Sequence, residues 1–141
     1  KGKVKPVRSQ ALVCQMDLFA SIARLIHAKV PDGLDSREMI STFLGKHKTG
    51  REELVIEAQG KLALRTKKFA FIPPYSGEEH NETGNEVGNL HQTGLFNLLN
   101  DFSQQHNIAQ EQPALTEKLM SRFKQLTDGY WVMNVKEEKL Q

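Results

Sequence analysis

One cysteine, five histidines and a long polar stretch at residues 75–94 hold most of the chemistry that this chain of 141 residues can offer. Cys14 lies in ALVCQMD without a His, Lys or Arg in its local turn to stabilise a thiolate. It therefore reads as a small apolar core residue and not as a nucleophile. Asp17 has the chemistry of a metal ligand, but at the head of an apolar run its carboxylate is better suited to capping a helix N-terminus. His27, His47 and His106 stand apart from one another and read as structural or exposed. No grouping of His, Cys and Asp has the spacing of a zinc site, so no metal is expected within this segment. The stretch YSGEEHNETGNEVGNLHQTG presents His80, Asn81 and His91 among Gly, Asn and Glu, a polarity that suits hydrogen bonding to a sugar. Plain solvation of the same residues is the competing reading. Arg65, Lys67 and Lys68 make the nearest approach to a basic patch and read as the solvent side of a strand pair.

The elements that would position these groups can be read from periodicity. Residues 11–30 open with a short apolar, strand-like stretch and continue past Asp17 with Leu18, Phe19, Ile22, Leu25 and Ile26 at helical spacing, a helix that Pro31 and Gly33 would stop. A second short helix is expected from Ser36 to Leu44, ending at Gly45. Between residues 53 and 73, three apolar runs broken at Gln59–Gly60 and Thr66–Lys67 predict an antiparallel meander that Pro73–Pro74 ends. The polar stretch after it is long enough to be either functional or disordered. Leu95–Leu99 fits a helix or a strand by periodicity alone. From Pro113, the residues Leu115, Leu119, Met120, Phe123 and Leu126 line one face of a helix, closed at Asp128–Gly129, and YWVM at 130–133 is strand-like.

With 38% hydrophobic and 26% charged residues the composition is that of a globular chain. A net charge of +2 with scattered basic residues argues against a nucleic-acid partner. No run of apolar residues is long enough to span a membrane. The first residue is Lys and no signal-peptide pattern follows it, so a chain cut from something longer is expected.

Three patterns, in order, resemble the carboxyl-terminal part of the type I sulfatases, the arylsulfatase-like hydrolases of sulfate esters. They are ALVCQMDLFASIARL, then LALRTKKFAFI, then LFNLLNDFSQQHNIAQEQPALTEKL. Each alone is weak, and their conjunction over about residues 3–128 is specific. In the third, LFNLL becomes a strand added to the meander edge, and Asp101 and Asn107 are suited to bonding the backbone of a polar elbow before Pro113 starts the helix. Phe102, Ser103 and Phe69 depart from the family's usual Pro, Gly and Trp.

The resemblance implies an α+β fold: a small antiparallel sheet of about four strands packed against a carboxyl-terminal helix, preceded by helices from the end of an alkaline-phosphatase-like catalytic domain. It divides the chain into residues 1–48, the end of that domain, and residues 49–141, the carboxyl-terminal subdomain. In the family a formylglycine made from Cys or Ser in a C/S-x-P-x-R motif attacks sulfur beside a calcium ion, where fixed cations stabilise the developing charge. Cys14 is followed by Gln15, Met16, Asp17 and Leu18, and no Ser here is followed two residues later by Pro. The nucleophile and the calcium ligands are thus expected upstream, no catalytic residue is expected in this segment, and the segment alone is expected to be inactive. The family's variable loops border the leaving-group side of the pocket, which makes Gln59, Lys61 and His80 the substrate-binding candidates. The implied partners are the chain's own amino-terminal catalytic domain and a sulfated small molecule or glycan, in a periplasmic or secreted protein. A stand-alone carbohydrate- or protein-binding module without catalysis is the alternative.

Overall fold

The structure, a computed structural model, describes residues 4, 6–58, 60–85, 87 and 89–128, and the chain forms two compact units, residues 1–52 and 53–141. The expected strand at 130–133 lies outside the described residues.

In the first unit, helix α1 (Asp17–Leu25) precedes a single helical turn, α2 (Ile40–Phe43). Residues 36–39 are not helical, so the second helix is shorter than its capping pattern suggests. Ser36 serves another purpose: its hydroxyl accepts the Ala20 N–H at 2.9 Å and donates to the Met16 carbonyl. The Met39 N–H likewise donates to the Ser21 hydroxyl at 2.8 Å. These bonds explain why small residues face inward on α1. Ala20, Ser21 and Ala23 are buried, whereas Leu18, Phe19, Ile22, Leu25 and Ile26 are all exposed. The helix has the expected amphipathic spacing, but its apolar side is turned outward. Nor do Pro31 and Gly33 terminate it. The His27 N–H bonds the Arg24 carbonyl and the Ala28 N–H bonds that of Ala23, a Schellman closure with His27 left-handed at φ 58°.

The apolar stretch before α1 forms no strand among the described residues. It contributes an isolated antiparallel bridge, Leu12 to Arg51. Asp17 is also not an N-cap. The cap position is Met16, without a side-chain bond, and the Asp17 carboxylate instead accepts the N–H groups of Cys14 and Arg37 and the guanidinium of Arg51. Its side chain is fully buried, and that of Arg51 is 7% exposed. Arg51 also donates to the Asp35 carbonyl. A buried carboxylate thereby ties together three stretches that are distant in sequence.

The second unit is the expected meander and helix. Strands β1 (Glu53–Ala58), β2 (Lys61–Thr66), β3 (Phe69–Ile72) and β4 (Gly94–Asn97) form one antiparallel sheet in sequence order, and helix α3 spans Pro113–Thr127. Gly60, at φ 73°, supplies the left-handed turn between β1 and β2. Register places Val55, Leu64, Phe71 and Leu95 side by side across all four strands. That row, on the face set by the two-residue strand period, packs with Leu119 and Phe123 of α3. The Phe71 and Phe123 rings meet at 5.8 Å, tilted by 52°. The opposite face carries a second cluster of Ala70, Phe96 and Leu98, with Ile72 and Leu90 against it. Pro113 at the first helical turn and Asp128, left-handed at φ 47°, bound α3.

Candidate functional site

The second face of the sheet floors a cavity of about 280 Å³, its base formed by Ile72, Leu90 and Phe96. The polar stretch between β3 and β4 makes one wall with Glu79, His80 and Asn89, and the turn after β4 makes the other with Ser103, Gln104 and Gln105.

The first wall is an organised excursion. At its base the Tyr75 N–H bonds the Leu90 carbonyl, and the Tyr75 hydroxyl accepts the Leu62 N–H at 2.6 Å while donating to the Leu62 carbonyl at 2.8 Å. Burial pushes the Tyr75 phenol above its usual pKa, against the hydrogen bond from the Leu62 backbone. Further out, the Asn81 carboxamide oxygen accepts the N–H groups of Thr83 and Asn85, and the Val87 N–H bonds the Glu79 carbonyl. Asn89 closes the wall. It is 8% exposed, and its Nδ2 donates to the Glu78 carbonyl at 2.6 Å. Its Oδ1 is buried without a hydrogen-bond partner. Gly77, at φ 122°, lies directly against this carboxamide, where a Cβ would come within 2.8 Å of Nδ2.

The second wall is built around Asp101. Its carboxylate accepts the N–H groups of Gln105 at 3.0 Å and His106 at 2.8 Å, and its carbonyl accepts that of Gln104. The backbone bonds from Gln105 and His106 hold this carboxyl below its usual pKa. Gln104 is held left-handed at φ 55°. Asn107 fixes the turn to the sheet: its Oδ1 accepts the N–H groups of Leu95 and Ala109, and its Nδ2 donates to the Thr93 carbonyl. Asp101 thus bonds the elbow's own backbone as its residue type suggests, while Asn107 also reaches β4.

Of the substrate-binding candidates among the described residues, His80 lines this cavity and Lys61 does not. Lys61 begins β2 opposite Ala58, is half-buried, and is not among the lining residues. Gln59 lies outside the described residues. Asn89, Gln104, Gln105 and Tyr75 carry no motif by themselves. A left-handed, non-glycine turn cannot be read from SQQ, and the burial of Asn89 depends on a loop folding back over β3 and β4. No group of three or more His, Cys, Asp or Glu side chains among the described residues is arranged to hold a metal ion. None of the described helices is long and apolar enough to cross a membrane.

No family model matches the chain. Over 122 residues it is 35% identical to the N-acetylgalactosamine-6-O-sulfatase of Bacteroides thetaiotaomicron, a match covering 84% of this chain and 24% of that protein. The chain is homologous to part of a sulfatase. A solved structure from work on glycosaminoglycan metabolism by Bacteroides thetaiotaomicron shares 32% identity with this segment, with a TM-score of 0.81 over 89% of the segment and 27% of that chain. Two more distant structures share the fold at 14% identity. One is a sulfatase-like protein from Bacteroides fragilis, with a TM-score of 0.61 over 91% of the segment and 28% of that chain. The other, in complex with its substrate D-glucosamine-2-N,6-O-disulfate, gives 0.55 over 87% and 25%. The segment spans about a quarter of the length of the proteins it matches, and the α+β fold and the carboxyl-terminal sulfatase patterns agree with these likenesses.

Proposed function

We propose that this segment is the carboxyl-terminal part of an enzyme that hydrolyses sulfate esters of a glycan, with the nucleophile and metal supplied upstream. The observation that carries this reading is the 35% identity, over 84% of the segment, to a protein named for removing a 6-O-sulfate from N-acetylgalactosamine. In this reading residues 1–48 are the end of an alkaline-phosphatase-like catalytic domain and residues 49–141 form the carboxyl-terminal subdomain. The outward row of Leu18, Phe19, Ile22, Leu25 and Ile26 on α1 supports it, because a covalently attached catalytic domain would bury such a face. His80 and Lys61 contribute to holding the substrate, calcium and formylglycine belong to the upstream part, and the enzyme works in the periplasm or outside the cell.

The test begins with the coding sequence upstream of Lys1. A continuous frame containing C/S-x-P-x-R and paired Asp residues is expected. The product of that frame, matured in a formylglycine-forming host, should release sulfate from 6-sulfated N-acetylgalactosamine, whereas the 141-residue chain should release none. A complete upstream frame whose product leaves sulfated hexosamines untouched would refute the proposal, and turnover by the segment alone would refute its division of labour.

A further inference from the structure

We propose that Arg8 and the stretch Lys46, His47 and Lys48 form a surface that holds a sulfated polysaccharide by charge, at several sulfate groups along the polymer. The choice of a sulfated glycan as the polyanion rests on the function proposed above. The surface is built from the first unit, whereas the cavity on the sheet belongs to the second. Three observations point to it.

The first is where the charge lies. Residues 1–52 carry ten Lys and Arg against five Asp and Glu, a net charge of +5, and residues 53–141 carry nine against twelve, a net charge of −3. The overall charge of +2 conceals this division. Within the first unit no acidic residue occurs in residues 1–16 or in residues 39–51, and these two stretches hold seven of the ten cations.

The second is that the fold joins the two acid-free stretches. The Arg51 N–H donates to the Leu12 carbonyl at 2.7 Å, and Val7 lies so close to Gly45 that a Cβ there would come within 3.3 Å of Val7 Cγ1. Arg8 follows Val7 and Lys46 follows Gly45, so the two cations leave the same contact although far apart in sequence. Arg51 is buried against Asp17 and takes no part. Arg8, Lys46, His47 and Lys48 are all exposed, and among the described residues no side chain bonds or ion-pairs with theirs. Cations without carboxylates beside them keep their field for an outside anion.

The third is the fixed backbone beneath the lysines. The N–H groups of Lys46 and His47 both donate to the Ser41 carbonyl, at 2.8 and 3.1 Å, and the Thr42 hydroxyl donates to the Thr49 carbonyl at 2.7 Å. The loop is thus tied to α2 at both ends, and a ligand has to order side chains but not backbone. Ammonium groups on long exposed stems suit sulfates spread along a polymer; a single captured anion would call for a fixed fork of donors. No Phe, Tyr or Trp occurs in residues 1–16 or 44–51, which leaves a single strand of nucleic acid without an aromatic platform to stack on.

The test is binding of the 141-residue chain to a fluorescein-labelled chondroitin 6-sulfate oligosaccharide, followed by anisotropy at low ionic strength. Unsulfated chondroitin, sodium sulfate at matched ionic strength, single-stranded DNA and anionic phospholipid vesicles serve as competitors. Saturable binding that weakens steeply as salt is added is expected, with the unlabelled sulfated oligosaccharide the strongest competitor. Lys46→Gln with Lys48→Gln should weaken it roughly tenfold and Arg8→Gln roughly threefold, whereas Lys68→Gln with Lys118→Gln, which removes the same charge from exposed positions of the second unit, should change it less than about twofold. All the substituted side chains are exposed, and circular dichroism checks that each variant keeps the fold. No saturable binding, equal weakening by the two double variants, or stronger competition by DNA or by vesicles than by the sulfated oligosaccharide would overturn the inference. Each of those outcomes leaves the sulfatase reading standing, since that reading is tested by the upstream frame and by sulfate release.

Discussion

Replacing Asp17 with Asn should destabilise the first unit severely, although the side chain keeps its size. The Asp17 carboxylate accepts from Cys14 N–H at 3.1 Å and Arg37 N–H at 3.0 Å, and Arg51 Nε reaches its two oxygens at 3.1 and 3.0 Å. A carboxamide has one acceptor oxygen and one donor nitrogen. If the NH₂ replaces Oδ2 it faces the Cys14 N–H and Arg51 Nε; if it replaces Oδ1 it faces the Arg37 N–H and the second guanidinium nitrogen. In the first case the Cys14 N–H loses its acceptor while Arg51 Nε keeps Oδ1; in the second the Arg37 N–H and the second guanidinium nitrogen both lose theirs on this side chain, and either way the buried Arg51 charge loses its counter-ion. Breaking a buried pair in this way costs about 3–5 kcal/mol, well beyond the loss of a single neutral hydrogen bond. At tenfold per 1.4 kcal/mol, amides that exchange through opening of this unit should exchange roughly a hundredfold to several thousandfold faster. Hydrogen exchange followed by mass spectrometry on peptides from residues 9–52 reads this directly. A second variant, Asp17→Leu with Arg51→Met, removes both charges and should recover part of the loss, but not all, because Cys14 and Arg37 still lack an acceptor. Exchange in Asp17→Asn within about threefold of wild type would refute the assignment of this pair as the tie of the unit.

Three further outcomes are expected. On acidification, burial pushes the Asp17 carboxyl upward, but bonds from Arg51, Cys14 and Arg37 and the Arg51 charge prevail and hold it below the usual aspartate range. Its contribution is therefore complete above about pH 4 and is lost as pH falls through the lower folded value, so the acid limb of stability should be shallower in Asp17→Asn. Phe123→Ala removes a fully buried ring packed on the Val55, Leu64, Phe71 and Leu95 row. It should cost about 3–5 kcal/mol in urea denaturation of the sheet unit, and a loss under about 1 kcal/mol would refute the packing described. His27→Gly removes the left-handed strain at the end of α1 and should slow exchange in residues 17–28 by up to about fivefold, a gain of up to about 1 kcal/mol; faster exchange there would refute the Schellman closure.

By itself the sequence determined the sheet unit nearly completely. Its apolar runs alternate with a two-residue period and are separated by Gly60 and Thr66, and Pro113 announces a helix whose apolar residues recur every third or fourth position. These are local rules, acting over a few residues, and the third sulfatase-like pattern resolved the ambiguity of residues 95–99 in favour of β4. Asp101 and Asn107 were legible for the same reason, since an Asx side chain in a polar turn bonds backbone close to it in sequence.

What only the tertiary structure decided depends on residues distant along the chain. Asp17 reads as a helix cap until Arg51, 34 residues away, is brought beside it. The apolar face of α1 reads as core because periodicity reports amphipathicity and not direction; Ser36 and Met39 decide that Ala20, Ser21 and Ala23 face inward. The cavity is hidden for the same reason. His80 was visible as a polar loop residue, but Asn89 becomes an orphaned acceptor, and Gln104 a strained neighbour across from it, only when the excursion after β3 and the turn after β4 close over one face of the sheet.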